Sequence, residues 1–282
     1  MHKYQLIIVG GGPAGLSCAN RAGALGVKTI LLERKPNFGN ESSAGYPMHC
    51  AEGVSKSGIE RFFKPEDRWI SNYVEGAHLL SPSGIRVTIH HPQAGYILDR
   101  REMEHDLAVK ASSKGVDIQS NTSVKELVTD GNSNYKGVKA VVDRQAMEIE
   151  ADYIVLATGT NLKLLGQLGA KNRVEPERMI TGIQYYMGGL EGSIEEGYPE
   201  FYVGRTYAPG GYAWVFPKGR DCANVGLGVI VSKLGSKKAV DYLNDFVERR
   251  FSGKGKILER GGGAVIVSGP SRKVVYGNVL LT

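Results

Sequence analysis

The sequence has few cysteines and no long apolar segment. Its three cysteines, among 282 residues, are too few and too scattered for a disulfide framework or a cysteine-based zinc site. Their scarcity fits a reducing compartment. No stretch approaches the roughly 18 unbroken apolar residues of a membrane-spanning helix, and the N-terminus lacks the layout of a signal peptide. We therefore expect a cytoplasmic protein, with peripheral attachment to the inner face of the cell membrane left open.

Clusters of one charge sign are also missing. The formal net charge is +6, from 35 Lys and Arg against 29 Asp and Glu, yet no run of five basic residues occurs. This argues against a basic arm, and we expect no nucleic-acid partner. A mildly basic surface suits anionic lipid head groups or a phosphate-bearing ligand equally well. The histidines lack metal-ligand spacing with cysteines or carboxylates, so we expect no metal site.

Glycine, in contrast, is abundant. It accounts for 38 of the 282 residues, well above the usual share of about 7%, and it shows no three-residue period. The hydrophobic fraction of 41% is typical of a globular protein. Glycines in this number indicate many tight turns and places where the backbone approaches a ligand closely.

The strongest local pattern lies near the N-terminus. A short apolar strand is followed by Gly10-x-Gly12-x-x-Gly15, a helix, and a second apolar strand that ends at Glu33. In such a βαβ unit the glycines make a tight turn, admit a pyrophosphate and allow close packing, while the helix N-terminus attracts phosphate. A carboxylate at Glu33 can accept hydrogen bonds from an adenosine ribose. The pattern predicts binding of an adenine dinucleotide, but it does not separate FAD from NAD.

The second half of the chain consists of strand-like segments separated by glycine turns, with one amphipathic helix. The whole pattern predicts an α/β protein, in which a mostly antiparallel β-sheet substrate domain of α+β character is interleaved with a Rossmann-like FAD-binding or NAD-binding domain. We expect the Rossmann-like domain over residues 1–72 and 98–175. We expect the substrate domain over residues 73–97 and 176–272, and a returning strand of the first domain over residues 273–282.

Three aromatic residues alternate along one predicted strand. Tyr212, Trp214 and Phe216 therefore share one face of it, and we call them the aromatic wall. Such a wall suits an uncharged polyprenyl chain, although packing in a core is the alternative role of such residues. Cys50 follows a long loop and precedes a helix start predicted at Ala51, a position that favours a reactive thiol.

These motifs resemble known flavoproteins. The GGGPAG start, the acid Glu33, Arg100 at a helix start and the A-T-G strand end at residues 157–159 are similar to the para-hydroxybenzoate hydroxylase superfamily. Within it, the segment MHCAEG at residues 48–53 and the segment YAWVFPKG at residues 212–219, which is followed by NVG, resemble two signatures of the geranylgeranyl reductase family.

The resemblance covers nearly the whole chain and implies FAD rather than NAD. It implies an enzyme that saturates carbon–carbon double bonds of geranylgeranyl chains on archaeal phospholipids or related isoprenoids. The implied partners are a prenylated lipid substrate, an electron donor that is ferredoxin or NAD(P)H, and a membrane surface; we expect no obligate protein partner. Cys50 is the candidate catalytic residue, while Glu52 and Tyr212 are weaker candidates for the proton donor.

The resemblance also implies a set of binding residues, most of which lie in these motifs. The implied cofactor contacts are Gly10, Gly12, Pro13, Ala14, Gly15, Glu33, Arg34, Cys50, Ala51, Arg100, Val124, Ala157 and Gly159. The implied substrate contacts are Tyr212, Trp214, Phe216, Pro217 and Gly219.

The sequence departs from the family pattern at two places. Ala51 stands where the family's C-G-E-G segment has its first glycine, so the backbone turn there need not match the family's. The last predicted strand, residues 273–282, stops before the family's G-D-A-A-G motif. From this we expect a C-terminally truncated family member with impaired retention of FAD.

Three other functions stay open on the sequence alone. One is an FAD-dependent aromatic monooxygenase or halogenase of the same superfamily, which would couple flavin oxidation by oxygen to a modified product. Another is a quinone-linked electron-transfer flavoprotein, whose C-terminal iron–sulfur segment does not appear in this sequence. The last is a non-catalytic chain without flavin.

Overall fold

The structure is a computed structural model that describes residues 3–39, 50–131, 134–170, 173–269 and 271–282. The strands in chain order are β1 (Lys3–Val9), β2 (Thr29–Leu32), β3 (Gly53–Ser55), β4 (Ile70–Leu80), β5 (Arg86–Leu98), β6 (Asp117–Gln119), β7 (Thr122–Thr129), β8 (Tyr135–Val142), β9 (Gln145–Leu156), β10 (Met179–Gly188), β11 (Glu200–Val203), β12 (Tyr212–Pro217), β13 (Ala223–Ile230), β14 (Lys256–Ile266), β15 (Val275–Tyr276) and β16 (Val279–Leu281). The helices are α1 (Pro13–Ala24), α2 (Lys56–Glu60), α3 (Arg100–Ser113), α4 (Lys163–Gln167) and α5 (Ala239–Phe251).

The chain forms two compact units that are built from alternating segments. The first unit comprises Met1–Ala44, Arg101–Arg173 and Gly269–Thr282, and the second comprises Gly45–Arg100 and Val174–Ser268. The expected domain boundaries differ from this division mainly over residues 50–72, which group with the second unit, and by four residues or fewer at the other boundaries. The reason is strand pairing, since β3 and β4 both form antiparallel ladders with β5.

The first unit contains a sheet with a parallel centre. Its strands follow the order β15-β16-β9-β1-β2-β6, and β8 and β7 extend it from β9. The strand β1 is parallel to both β2 and β9, and α1 crosses from β1 to β2. All four residues of β2 are buried, as expected of a short apolar strand covered on both faces. This arrangement confirms the predicted Rossmann-like fold class.

The second unit contains a mostly antiparallel sheet, which confirms the second half of the fold prediction. Its strand order is β14-β10-β13-β12-β11-β4-β5-β3, and the β11–β4 pair is parallel. One face of this sheet packs against α5 through a fully buried core that includes Val215, Leu227, Leu243 and Phe246. The aromatic wall alternates with these core positions along β12, so it belongs to the other face.

Two local predictions differ from the structure. The helix expected to start at Ala51 starts at Lys56 instead, with Ser55 as its N-cap, because residues 53–55 pair with β5 as a strand. The single strand expected over residues 273–282 is two short antiparallel strands, β15 and β16, separated by a turn at Gly277 with φ +62°. Across the described residues, no helix combines the length and the apolar character that crossing a bilayer requires.

Candidate functional site

Two glycines of the N-terminal fingerprint lie where a side chain would not fit. Gly10 follows β1 with φ +111°, a conformation that favours glycine. A Cβ atom on Gly10 would overlap the carbonyl oxygen of Ala157, and one on Gly15 would overlap the carbonyl oxygen of Gly10. The loop between β1 and α1 therefore closes tightly against the end of β9, which leaves no room for larger residues at either position.

The N-terminus of α1, in contrast to this tightly packed loop, has free space around it among the described residues. Gly12 is the N-cap in extended backbone, and Pro13 and Ala14 open the helix as exposed residues. Among the described residues, no side chain caps this end and no atom lies within 4 Å of the place of a Gly12 Cβ. The unpaired N–H groups and the positive end of the helix dipole thus face open space. This geometry fits a pyrophosphate.

Glu33 lies where β2 ends and is held by backbone groups. Its Oε2 atom accepts a hydrogen bond from the Gly11 N–H at 2.5 Å, and its Oε1 atom accepts one from the Lys35 N–H at 2.8 Å. The residue is only 9% exposed. A carboxylate has about four lone-pair sites, so both oxygens can still accept bonds from ribose hydroxyls. The residues of the first unit therefore fit the adenosine and pyrophosphate parts of FAD.

The other predicted cofactor contacts occupy varied environments. In the first unit, Arg34 is exposed, and Val124 is half-buried on β7 against the core of the unit. Ala157 is buried and donates its N–H to the Val9 carbonyl at 2.8 Å, while Gly159 has φ +57°. Cys50, Ala51 and Arg100 belong to the second unit. Their contact with a cofactor stays a prediction.

Residues 50–52 of the second unit, here called the Cys50 turn, are held by side chains from the sheet. Gln184 on β10 donates from Nε2 to the Cys50 carbonyl at 2.9 Å, and Asn224 on β13 donates from Nδ2 to the Ala51 carbonyl at 3.1 Å. The Glu52 N–H donates to Cys50 Sγ at 3.3 Å. The left-handed backbone of the turn lies at Glu52, with φ +69°, and not at Ala51. Alanine is therefore tolerated where the family pattern has glycine.

The Glu52 carboxylate is buried among donors. Its Oε2 atom accepts from Lys218 Nζ at 2.6 Å and from Asn224 Nδ2 at 2.8 Å, and its Oε1 atom accepts from the Arg100 N–H at 3.1 Å. The side chains of Glu52 and Lys218 are only 7% and 12% exposed. Each of these groups donates to the Glu52 side chain, which therefore acts as a hydrogen-bond acceptor in this cluster.

The aromatic wall is confirmed as a structural feature, with its three side chains on one face of β12. The rings of Tyr212 and Trp214 lie 5.8 Å apart, and Phe201 on β11 joins Tyr212 and Phe216 at 5.7 and 5.1 Å. Gly226 on the neighbouring strand makes room for the indole, because a Cβ atom there would stand 2.6 Å from Trp214 Cζ2. The wall is partly open, since Tyr212 is 43% exposed.

The strand that carries the wall ends in a tight turn. The Pro217 carbonyl accepts a hydrogen bond from Asn72 Nδ2 at 3.1 Å. Gly219 has φ +125°, which suits glycine in the turn between β12 and β13. These contacts explain Pro217 and Gly219 as parts of the hairpin, and their contact with a substrate stays a prediction.

Tyr212 connects the wall to the Cys50 turn electrostatically. Burial raises the pKa of the Tyr212 hydroxyl, and the nearby Cys50 sulfur raises it further. The candidate catalytic thiol and the Tyr212 hydroxyl thus lie within one unit and close enough to interact electrostatically.

Three site residues were missed by sequence reasoning as functional groups. Lys218 and Asn224 lie within the family-like segments, but nothing in the sequence indicates that both reach Glu52. Gln184 has no motif at all, and its role follows only from the pairing of β10 with β13 opposite Gly226. A buried atom of the same patch, Trp214 Nε1, has no hydrogen-bond partner among the described residues.

Comparison with known proteins agrees with this geometry. A family model described as an FAD binding domain matches residues 3–184, and one described as a geranylgeranyl reductase catalytic domain matches residues 178–265. The chain is 36% identical to a digeranylgeranylglycerophospholipid reductase of Methanospirillum hungatei, over 99% of this chain and 68% of that protein. It is 33% identical to digeranylgeranylglycerophospholipid reductase 1 of Methanococcoides burtonii, over 99% of this chain and 67% of that protein.

Solved structures extend the comparison. A geranylgeranyl bacteriochlorophyll reductase-like protein from Thermoplasma acidophilum superposes with a TM-score of 0.91 at 28% identity, covering 100% of this chain and 70% of that one. A flavin-dependent brominase superposes with a TM-score of 0.76 at 16% identity, over 99% of this chain and 72% of that one, which shows a shared fold alone.

The fold, the glycine-rich phosphate site and these matches define a flavoprotein that binds FAD and acts as a flavin-dependent oxidoreductase. The domain match over the second unit and the level of identity to the archaeal reductases are more specific than the shared fold. The chain belongs to the geranylgeranyl reductase family. This supports a reductase over the monooxygenase or halogenase alternative.

Proposed function

We propose that this enzyme saturates the double bonds of geranylgeranyl chains on a prenylated glycerophospholipid, as the names of its archaeal relatives suggest. The observation that carries the proposal is the aromatic wall, which carries the Tyr212 hydroxyl and lies in the same unit as the Cys50 turn. An apolar wall suits a hydrocarbon chain, and a proton source suits reduction of an alkene.

The first unit holds the cofactor in this proposal. Gly10 and Gly15 shape the loop, Gly12 leaves the helix end open for the pyrophosphate, and Glu33 accepts from the ribose. Reduced FAD, when bound, supplies a hydride equivalent to one carbon of the double bond. The protein must then supply a proton to the other carbon, because an isolated alkene is a poor hydride acceptor.

The second unit supplies the substrate surface and the proton. The aromatic wall, with Phe201 beside it, orients the prenyl chain and excludes water. Cys50 is the proposed catalytic residue, and the Tyr212 hydroxyl in the same unit is a second group that can supply the proton. Glu52 serves as an acceptor and takes no part in the proton transfer.

The partners of the reaction follow from its chemistry. A reductase needs an electron donor, and we propose ferredoxin or NAD(P)H, since the net charge of +6 suits both an acidic protein and nucleotide phosphates. The same charge suits peripheral contact with an anionic membrane surface, where a phospholipid substrate would reside.

The direct test is anaerobic. The FAD-loaded protein is reduced with dithionite and mixed with a geranylgeranyl phospholipid, and the visible flavin absorbance is followed together with the lipid mass. We expect the absorbance of oxidised flavin to return while the lipid gains two hydrogen atoms per reduced double bond. Flavin that stays reduced, or that is oxidised only by oxygen with a hydroxylated product, would contradict the proposal.

A variant pair separates the hydroxyl from the ring. Tyr212→Phe keeps the wall but removes the proton, so we expect kcat to fall at least ~100-fold, the lower part of the range for general acids. Tyr207→Phe is the matched control, because Tyr207 packs on the opposite, α5-covered face of the sheet. If both variants keep the wild-type kcat, Tyr212 is not a proton source.

A further inference from the structure

The Cys50 turn is anchored by several separate parts of the second unit. Four separate elements reach it: Gln184 from β10, Asn224 from β13, the Arg100 N–H at the start of α3, and Lys218 just after β12. All are distant in sequence, with separations between 48 and 173 residues. A turn fixed from so many directions has little freedom to reorient its thiol.

The charges within this cluster are balanced. Lys218 places a cation 2.6 Å from the Glu52 carboxylate, and both side chains are nearly buried. Breaking such a pair by removing one partner leaves an uncompensated buried charge. The remaining charge would lie next to the Cys50 turn, because the Glu52 N–H itself contacts Cys50 Sγ at 3.3 Å.

We propose that Glu52 and Lys218 are positioning residues, which hold the Cys50 thiol in its working orientation and keep the charge around its sulfur balanced. The Glu52 carboxylate anchors one end of the turn, while the Glu52 N–H contacts the sulfur at 3.3 Å. The Lys218 cation balances the negative charge of the Glu52 carboxylate. The inference rests on the proposed function, in which Cys50 is the catalytic residue.

The sharpest test measures the thiol rather than turnover. The alkylation rate of Cys50 by iodoacetamide is followed by mass spectrometry of its peptide, with Cys18 of the first unit in the same sample as the internal reference. Lys218→Met leaves the Glu52 anion beside the sulfur and disfavours the reactive thiolate, so we expect the Cys50 rate to fall at least ~3-fold. Glu52→Gln leaves the Lys218 cation, so we expect the rate to rise by a similar factor.

Opposite changes of the Cys50 alkylation rate in the two variants distinguish positioning by a charge pair from a merely structural role. If the pair only stabilised the fold, both variants would loosen the turn and move the Cys50 rate in the same direction. A Cys50 alkylation rate that changes in the same direction in both variants, or in neither, would overturn the inference. Should Lys218→Met fail to fold, Lys218→Gln takes its place in the comparison, with the same fall in the Cys50 rate expected and an unchanged or higher rate counting against the inference.

The same sheet offers a matched control. Arg250 on α5 pairs with Glu200 on β11 at 2.7 Å, and their side chains are 21% and 8% exposed. Glu200 lies opposite Val215, on the face of the sheet away from the wall. Arg250→Met should therefore destabilise the unit to a similar degree yet leave the Cys50 alkylation rate within ~2-fold of wild type, since it disturbs a distant charge pair.

Steady-state kinetics complete the test. We expect Lys218→Met to lower kcat at least ~10-fold with KM within ~3-fold, because the wall that binds the chain is untouched. Lys218→Arg keeps the cation and should recover most of kcat. A Lys218→Met variant with wild-type kcat would overturn the inference. Failure of the wild-type enzyme to reduce lipid would instead overturn the proposed function, while the alkylation measurements would still report on the pair.

Discussion

The two units hold their functional groups by different means. In the first unit the glycines, the helix end and Glu33 form a site from backbone groups within about thirty residues of chain. In the second unit the Cys50 turn is held by side chains, and its hydrogen bonds join residues 134 and 172 positions apart. A backbone site tolerates little change at its glycines, whereas a side-chain site can be dismantled one bond at a time.

The largest expected effect tests the backbone site. Gly10→Ala places a Cβ atom against the Ala157 carbonyl at φ +111°. Strain of ~1–3 kcal/mol from the dihedral angle adds to a similar cost of overpacking, so we expect a loss of ~3–5 kcal/mol in the free energy of unfolding. Urea denaturation measures it. Gly12→Ala is the control, since open space surrounds that position among the described residues, and its stability should stay within ~1 kcal/mol of wild type. Equal losses in both would refute the distinction.

A smaller effect is expected for the side-chain site. Asn224→Ala removes two hydrogen bonds to the Cys50 turn, of which one goes to the Glu52 carboxylate. We expect a loss of ~2–3 kcal/mol in the free energy of unfolding, because the bond to a charged acceptor is the stronger one. Asn244→Ala, on the exposed side of α5 with one bond to the Tyr185 hydroxyl, should cost about 1 kcal/mol or less. The comparison fails if the two variants are equally stable.

The ribose contact gives a binding effect of intermediate size. Glu33→Ala should weaken FAD binding about 10-fold, which corresponds to ~1.4 kcal/mol for loss of a charged acceptor. Fluorescence titration with FAD measures the Kd. Glu126→Ala removes an exposed carboxylate of the same unit that pairs with Lys139 at 3.2 Å, and it should leave the Kd unchanged. An unaltered Kd in Glu33→Ala would remove Glu33 from the cofactor site.

The smallest expected effect depends on pH. The hydrogen bond from His78 lowers the pKa of the Glu195 carboxyl, and Arg86 adds to this, against a smaller opposing effect of burial. A lowered pKa in the folded state stabilises the protein above the ordinary carboxyl value of about 4.3, and this stabilisation is lost as the pH falls through the lowered pKa. Since Glu195 is 53% exposed, we expect less than ~1 kcal/mol.

This effect is measured by comparing urea midpoints at neutral and acidic pH. Glu195→Gln should show a weaker loss of stability on acidification than the wild type does. An identical pH dependence in the two proteins would show that Glu195 does not contribute, and that other carboxylates carry the acid sensitivity.

The same contrast explains how far the sequence alone leads. The order of strands around α1, the tight packing at Gly10 and the place of Glu33 after β2 follow from a pattern that is local in the chain, so they could be predicted. The alternation of Tyr212, Trp214 and Phe216 predicts a common face for the same reason. The start of α2 at Lys56 could not be predicted from the sequence, because the pairing of residues 53–55 with β5 is a long-range contact.

The contacts of Glu52 with Lys218 and Asn224 likewise could not be predicted from the sequence. A family-like segment identifies these residues as candidates, but nothing in local spacing indicates that a lysine after β12 meets a glutamate more than 160 positions earlier. Only the register of β10, β13 and β12 brings Gln184, Gly226 and Trp214 side by side. The last predicted strand is divided by a turn at Gly277, whose φ of +62° is not compatible with a continuous strand. The apolar run around it gives no sign of this turn.

The most direct test of this division of labour measures two constants in two variants. Gly12→Ala fills the open space at the end of α1, and Trp214→Ala removes the centre of the aromatic wall. We predict that Gly12→Ala raises the Kd for FAD at least ~10-fold with the lipid KM within ~3-fold, and that Trp214→Ala does the reverse. If Trp214→Ala weakens FAD binding and leaves the lipid KM unchanged, the assignment of cofactor to the backbone site and substrate to the aromatic wall is wrong.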